Sequence, residues 1–134
     1  MIPKFRAWDT HEEVVNRVDY IDFANGVIGM SNENVRDYEQ PIHRVNIMQS
    51  TGLKDENGVE IYEGDIVKRT YLFNGRYGET NTGEVVYDKE YARYVISRPK
   101  KHIEPKTEDL RNILSDKSTY EVIGNIYEDG NLIK

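Results

Sequence analysis

Along the chain, apolar and polar positions alternate mostly with a period of two, in short runs separated by glycine-containing dipeptides. Lys4-Phe5-Arg6-Ala7-Trp8 alternates over its first four residues, the pattern of a half-buried strand. Strands are likewise predicted over 18–23, 27–30, 45–49, 60–62, 65–68, 83–87, 92–96 and 121–127. Asn25-Gly26, Asn57-Gly58, Asn74-Gly75 and Asp129-Gly130 punctuate these runs, and such pairs accept the positive φ of hairpin turns. Asp88-Lys89-Glu90 predicts another hairpin turn, between 83–87 and 92–96. One segment predicts a helix: Thr107 caps it, Glu108 and Asp109 suit its first turn, and Leu110, Ile113 and Leu114 share a face. Thr10–Val15 offers at most one further helical turn, and the polar stretch Ser31–Pro41 reads as a loop.

The expected fold is therefore mainly β, a β-dominated α+β chain with one short helix. A Gly64-Asp65 pair ahead of Ile66-Val67 is a common way to start the first strand of a small SH3-like barrel, with Asp bonding nearby amides. The expected organisation is a single domain over 1–134. Residues 1–50 form an N-terminal β-hairpin lobe, and residues 60–128 a small SH3-like barrel of antiparallel strands. Core candidates are Trp8, Ile47, Ile61, Ile66, Val67, Val85, Val95, Val122, Ile123 and Ile126.

Composition narrows the chemistry. With 134 residues there is room for one core, and with no cysteine there is no disulfide, thiol nucleophile or thiolate metal site. The net charge of −6 argues against bulk capture of nucleic acid or acidic lipid. That charge is uneven: residues 1–67 carry six basic and thirteen acidic side chains, residues 68–134 twelve and eleven. No apolar run approaches the ~20 residues of a membrane-spanning helix, and no export signal is seen, so a cytoplasmic location is expected. Tyrosine is the unusual component, with ten against three Phe and one Trp.

The block from Met48 to Val67, Met-Gln-Ser-Thr-Gly-Leu-Lys-Asp-Glu-Asn-Gly-Val-Glu-Ile-Tyr-Glu-Gly-Asp-Ile-Val, predicts a strand, a turn at Thr51-Gly52, a polar hairpin tip at 54–58, a second strand and a turn at 63–65. With Lys4–Asp9 at the start, Gly83–Asp88 in the middle and Val122–Glu128 at the end, it closely resembles the YopX family of small phage and prophage proteins. Departures lie in two inserts, Arg69–Thr82 and Arg98–Ser115. The resemblance implies a phage- or prophage-encoded, β-rich protein of the bacterial cytoplasm. It implies no reaction.

Candidate chemistry is sparse. His11, His43 and His102 lack metal-ligand spacing, and no phosphate loop, nucleophile elbow or dinucleotide fingerprint occurs. No catalytic residue, cofactor or metal is therefore expected. Asp55, Glu56, Glu60, Glu63 and Asp65 admit a carboxylate-based hydrolase, against the plainer assignment to turns and a strand's solvent face. Tyr87, Tyr91 and Tyr94 interleave with Lys89, Arg93, Arg98, Lys100 and Lys101. Aromatic rings among cations can grip single-stranded DNA or RNA, whereas the plain alternative is core tyrosines with a solvated basic rim. Tyrosine is also enriched at protein interfaces. The favoured expectation is a non-enzymatic binding or adaptor module for a protein partner, self-association included. Tyr87, Tyr91, Arg93, Tyr94, Arg98, Lys100 and Lys101 are the candidate binding residues, the face that the nucleic-acid alternative would use.

Overall fold

The structure, a computed structural model, describes residues 2–100, 103–110 and 119–133; for residues 73, 79, 99, 100 and 103–108 the backbone alone is described. The chain is mainly β, built of antiparallel strands in two sheets, one of which curls into a half-barrel. Two compact units divide it, Met1–Ser50 and Thr51–Lys134. Among the described residues no helix is long and apolar enough to cross a membrane.

The first unit holds β1 (Phe5–Asp9), β2 (Val14–Asp22), β3 (Val27–Ser31), β4 (Tyr38–Pro41) and the start of β5 (Val45–Lys54). Their order is β4-β3-β2-β1-β5. Alternation along these strands buries Ala7, Ile28, Met30 and Val45 together, with Val18, Ile21, Tyr38, Ile42 and Ile47 packed against them.

Two expectations fail here. Thr10–Val15 is not helical: residues 10–13 form a tight turn, and Val14 and Val15 pair with Asp9 and Trp8. The cause is Asp9, whose Oδ1 accepts the amides of His11 (2.9 Å) and Glu12 (3.1 Å), while Glu13 turns the chain at φ 53°. Nor is Ser31–Pro41 all loop. Ser31 ends β3, and Tyr38–Pro41 pairs with it as β4.

The second unit takes the end of β5, then β6 (Glu60–Tyr62), β7 (Asp65–Phe73), β8 (Arg76–Asp88), β9 (Arg93–Lys100), β10 (Ile103–Asp109) and β11 (Thr119–Asn125). Its five-stranded sheet runs β10-β9-β8-β7-β11. Ile61, Val67, Val85, Ile96, Leu110 and Tyr120 form its core, backed by Leu53, Tyr94 and Val122. Of the core candidates, Ile61, Ile66, Val67, Val85 and Val95 are buried; Trp8, Ile47, Val122, Ile123 and Ile126 are half-buried.

The predicted helix does not start at Thr107. Thr107, Glu108 and Asp109 pair with Ser97, Ile96 and Val95 as the end of β10, and helical backbone starts only at the buried Leu110. Residues 111–114 of that prediction lie outside the described residues. Thr51-Gly52 is likewise no turn, since β5 runs through it with Gly52 at φ 77°.

Asn74-Gly75 behaves as its sequence demands. Phe73 pairs with Arg76, and the two residues between them sit at φ 50° and 75°, as a type I′ turn requires. A Cβ at position 75 meets no neighbour, so backbone strain alone decides the effect of Gly75→Ala. That variant is expected to lose about 1 kcal/mol, read as a lowered thermal unfolding midpoint; an unchanged midpoint would refute the turn's role.

Candidate functional site

The tyrosine-rich basic segment folds as the β8–β9 hairpin. Tyr87 and Tyr94 are direct cross-strand partners, their rings edge to face with centroids 5.3 Å apart. Tyr94 faces the core, and burial, then the charge of Glu63, pushes its hydroxyl above the ordinary value. Tyr87 stays 44 % exposed and Tyr91, in the turn, 66 %.

Strand alternation divides the expected binding residues. Tyr94, Ile96 and Arg98 share one face of β9, and Arg93, Val95 and Ser97 the other. Arg93 is held by two carboxylates, its Nε 3.4 Å from Asp88 Oδ2 and its Nη1 3.6 Å from Asp109 Oδ2. Its guanidinium also lies 5.1 Å from the Tyr91 ring centre. Arg98 belongs to a separate group: its Nη1 donates to the Tyr71 hydroxyl at 3.5 Å, and Arg69 stacks 4.2 Å over the Tyr71 ring. Arg93 and Arg98 thus fall in two local clusters, the first of them faced by acids. Lys100 lies in β9 with its backbone alone described, and Lys101 lies outside the described residues.

Beside the first cluster runs a groove of about 240 Å³ lined by Thr51, Leu53, Ala92, Arg93, Tyr94 and Leu110. Arg93 and Tyr94 were legible in the sequence. Leu53 and Leu110 carry no local signal for this position, because only the tertiary fold brings them to the hairpin.

Three of the five carboxylates of the Met48–Val67 block, Asp55, Glu60 and Asp65, have structural jobs. Asp55 is buried; its Oδ1 accepts the amides of Asn57 (2.9 Å) and Val59 (2.8 Å), and its Oδ2 that of Val122 (2.9 Å). Asp65 is fully buried and accepts the Tyr62 amide at 2.7 Å, while Glu60 accepts the Tyr62 hydroxyl at 2.9 Å. Oxygens committed to amides in this way are poorly placed as general bases. Among the described residues, no group of three or more His, Asp or Glu side chains gathers as a metal site.

A second polar centre, not singled out in the sequence, lies in the first unit. Asp9, fully buried, also accepts the Tyr38 hydroxyl (3.1 Å) and the Gln40 amide (3.2 Å) on Oδ2. Asn16, 2 % exposed, accepts the Asn32 side-chain amide at 2.7 Å. Next to these groups opens a cavity of about 350 Å³ lined by Glu12, Val14, Asn32, Asn34, Val35 and Tyr38. The sequence signal was present only in part: Asp9 stands in the first motif, but Tyr38 and Asn32 sit in a stretch that reads as loop.

Comparison with known proteins adds family and fold. No curated protein matches the chain. It is similar over its whole length to the crystal structure of protein EF1440 from Enterococcus faecalis, at 31 % identity and a TM-score of 0.68, covering 100 % of this chain and 99 % of that one. The family model described as YopX protein matches residues 4–134. With that match extending from the first strand to the last residue, the chain belongs to the YopX family.

Proposed function

We propose that this protein is a phage- or prophage-encoded accessory factor of the bacterial cytoplasm that works without catalysis, by docking a protein partner on the tyrosine face of the β8–β9 hairpin. One observation carries the reading: Arg93, central to the basic segment, is neutralised by Asp88 and Asp109 and shielded by Tyr91. A guanidinium so engaged has little left to offer a phosphate backbone. What remains is an amphipathic surface of Tyr87 and Tyr91 beside the Leu53–Leu110 groove, the kind of ring-rich patch that protein interfaces favour. A second copy of the chain is one such partner.

The edges of the five-stranded sheet favour side-chain docking over strand addition. The outer edge of β11 is covered, because Glu56 donates its amide to the Tyr120 carbonyl at 3.2 Å and Asp55 takes the Val122 amide. The opposite edge, β10, has a register shift between Ile103 and Lys106 that spans Pro105, and both features discourage edge pairing.

The test is an affinity pull-down from lysate of the bacterial host, with and without nuclease, comparing wild type with Tyr87→Ser/Tyr91→Ser. A specific protein retained after nuclease and lost with the double variant is the expected result. Loss of all bound material after nuclease in the wild type would overturn the reading in favour of single-stranded nucleic acid. Capture indifferent to the two tyrosines would remove the hairpin face from it.

A further inference from the structure

We infer that the cavity of the first unit receives an arginine side chain from the partner protein, a reading that rests on the protein-binding role proposed above. The chemistry of its lining selects the occupant. Glu12 brings an exposed carboxylate to the rim, and Val14 and Val35 supply apolar walls that suit an aliphatic stem. Tyr38 adds an aromatic ring, a surface that attracts cations, and the Asn34 side-chain amide makes no hydrogen bond among the described residues. About 350 Å³ lies at the small end of ligand sites and has room for a long side chain.

The charge behind the lining points the same way. The buried carboxylate of Asp9 is met by four neutral donors, the amides of His11 and Glu12, the Tyr38 hydroxyl and the Gln40 amide. That negative charge is stabilised by dipoles, among the described residues no cation pairs with it, and Tyr38, which lines the cavity, links it to the lining. The hydroxyl of Tyr38 is held neutral, its pKa pushed up to about 12 by burial first and then by Asp9, so the ring faces the cavity uncharged. An anion meets Glu12 and Asp9 unfavourably, whereas a guanidinium finds a carboxylate, a ring face and an amide oxygen. His11 Nε2 lies 4.0 Å from Glu12 Oε1, with both side chains largely exposed.

The walls are pre-formed. Asn32 Oδ1 accepts the amides of Asn34 (2.8 Å) and Val35 (2.9 Å), and the Asn32 amide donates to the Val35 carbonyl (2.8 Å). Little ordering is left to be done when a side chain enters.

The experiment titrates the full-length, 15N-labelled protein with N-acetyl-arginine methylamide and, separately, with its neutral isostere N-acetyl-citrulline methylamide. The amide resonances of Asn34, Val35 and Glu12 are followed. The expected result is saturable shifts at these amides, with the arginine probe binding about fivefold more tightly than citrulline. In Glu12→Gln that preference should fall close to one, while Glu128→Gln, exposed and in the second unit, should keep it. Equal binding of the two probes, shifts absent from these amides, or a preference unchanged in Glu12→Gln would each overturn the inference. Such a failure is separable from failure of the docking role, because the pull-down depends on Tyr87 and Tyr91 and the titration on neither.

Discussion

Asp55→Ala is expected to cost about 4 kcal/mol of folding stability, because three amides lose a charged acceptor in a buried setting. Two of these amides, Asn57 and Val59, belong to the hairpin tip that Asp55 itself begins, and the third belongs to Val122, 67 residues further along. A single side chain therefore closes a turn and fastens the outer edge of β11. Alanine leaves the Val122 amide without this acceptor. Asp55→Asn keeps one acceptor oxygen and should lose about half as much. Urea unfolding followed by circular dichroism measures both, and a midpoint unchanged in Asp55→Ala would show that water replaces the carboxylate without loss.

The same residue shows which parts of this fold are legible in sequence. The tip 54–58 reads correctly as a turn because Asp55, Asn57 and Gly58 settle it locally, with Gly58 at φ 79°. Asn74-Gly75 is legible for the same reason. Thr51-Gly52 carries a similar local signal, yet it lies inside β5, where the Thr51 hydroxyl donates to the Ile61 carbonyl at 2.8 Å. There the strand partner decides, and a glycine at positive φ is absorbed as an irregularity within the strand. The helix beginning at Thr107 fails similarly. Leu110 is an anchor, but Thr107–Asp109 are recruited by β9, a pairing that no window of helical spacing contains.

The candidate site divides along the same line. The Tyr87–Tyr94 pair is legible because a short turn fixes their register. Asp88 is close enough in sequence to be suspected as a partner of Arg93. Asp109 is not, and its approach adds a second carboxylate to Arg93. Asp9 and Tyr38, 29 residues apart, are beyond any local reading, since β4 must first be recognised as a strand within a polar stretch.

Asp9→Ala is expected to cost about 3 kcal/mol, as four donors lose their acceptor and two of them, from Tyr38 and Gln40, are held by β4. Its pH dependence has two arms of opposite sign. Burial alone would raise the Asp9 carboxyl, but the bonds from Glu12, His11, Tyr38 and Gln40 outweigh it and hold the group below its ordinary value. The folded state therefore prefers the carboxylate. This stability is complete above the unfolded value of about 4 and is lost as the pH falls through the lower folded one. Tyr38 behaves in reverse: burial, the bond to Asp9 and its charge push the hydroxyl up to about 12, against a smaller opposing bond from Asn16. Its contribution is complete below the unfolded value of about 10 and is lost as the pH rises from there toward 12. Trp8, the single tryptophan, stands in β1 beside Asp9 and so reports on this unit in fluorescence-monitored urea unfolding. Asp9→Asn should flatten the acid arm and leave the alkaline one, though lowered Asp19 and Asp22 keep a residual acid slope. Tyr38→Phe should flatten the alkaline arm, with Tyr20, raised by its bond to Glu39, leaving a small remainder. Acid and alkaline arms that both persist at full size in the two variants would place the linkage elsewhere and dissolve the Asp9–Tyr38 pair as the electrostatic centre of the first unit.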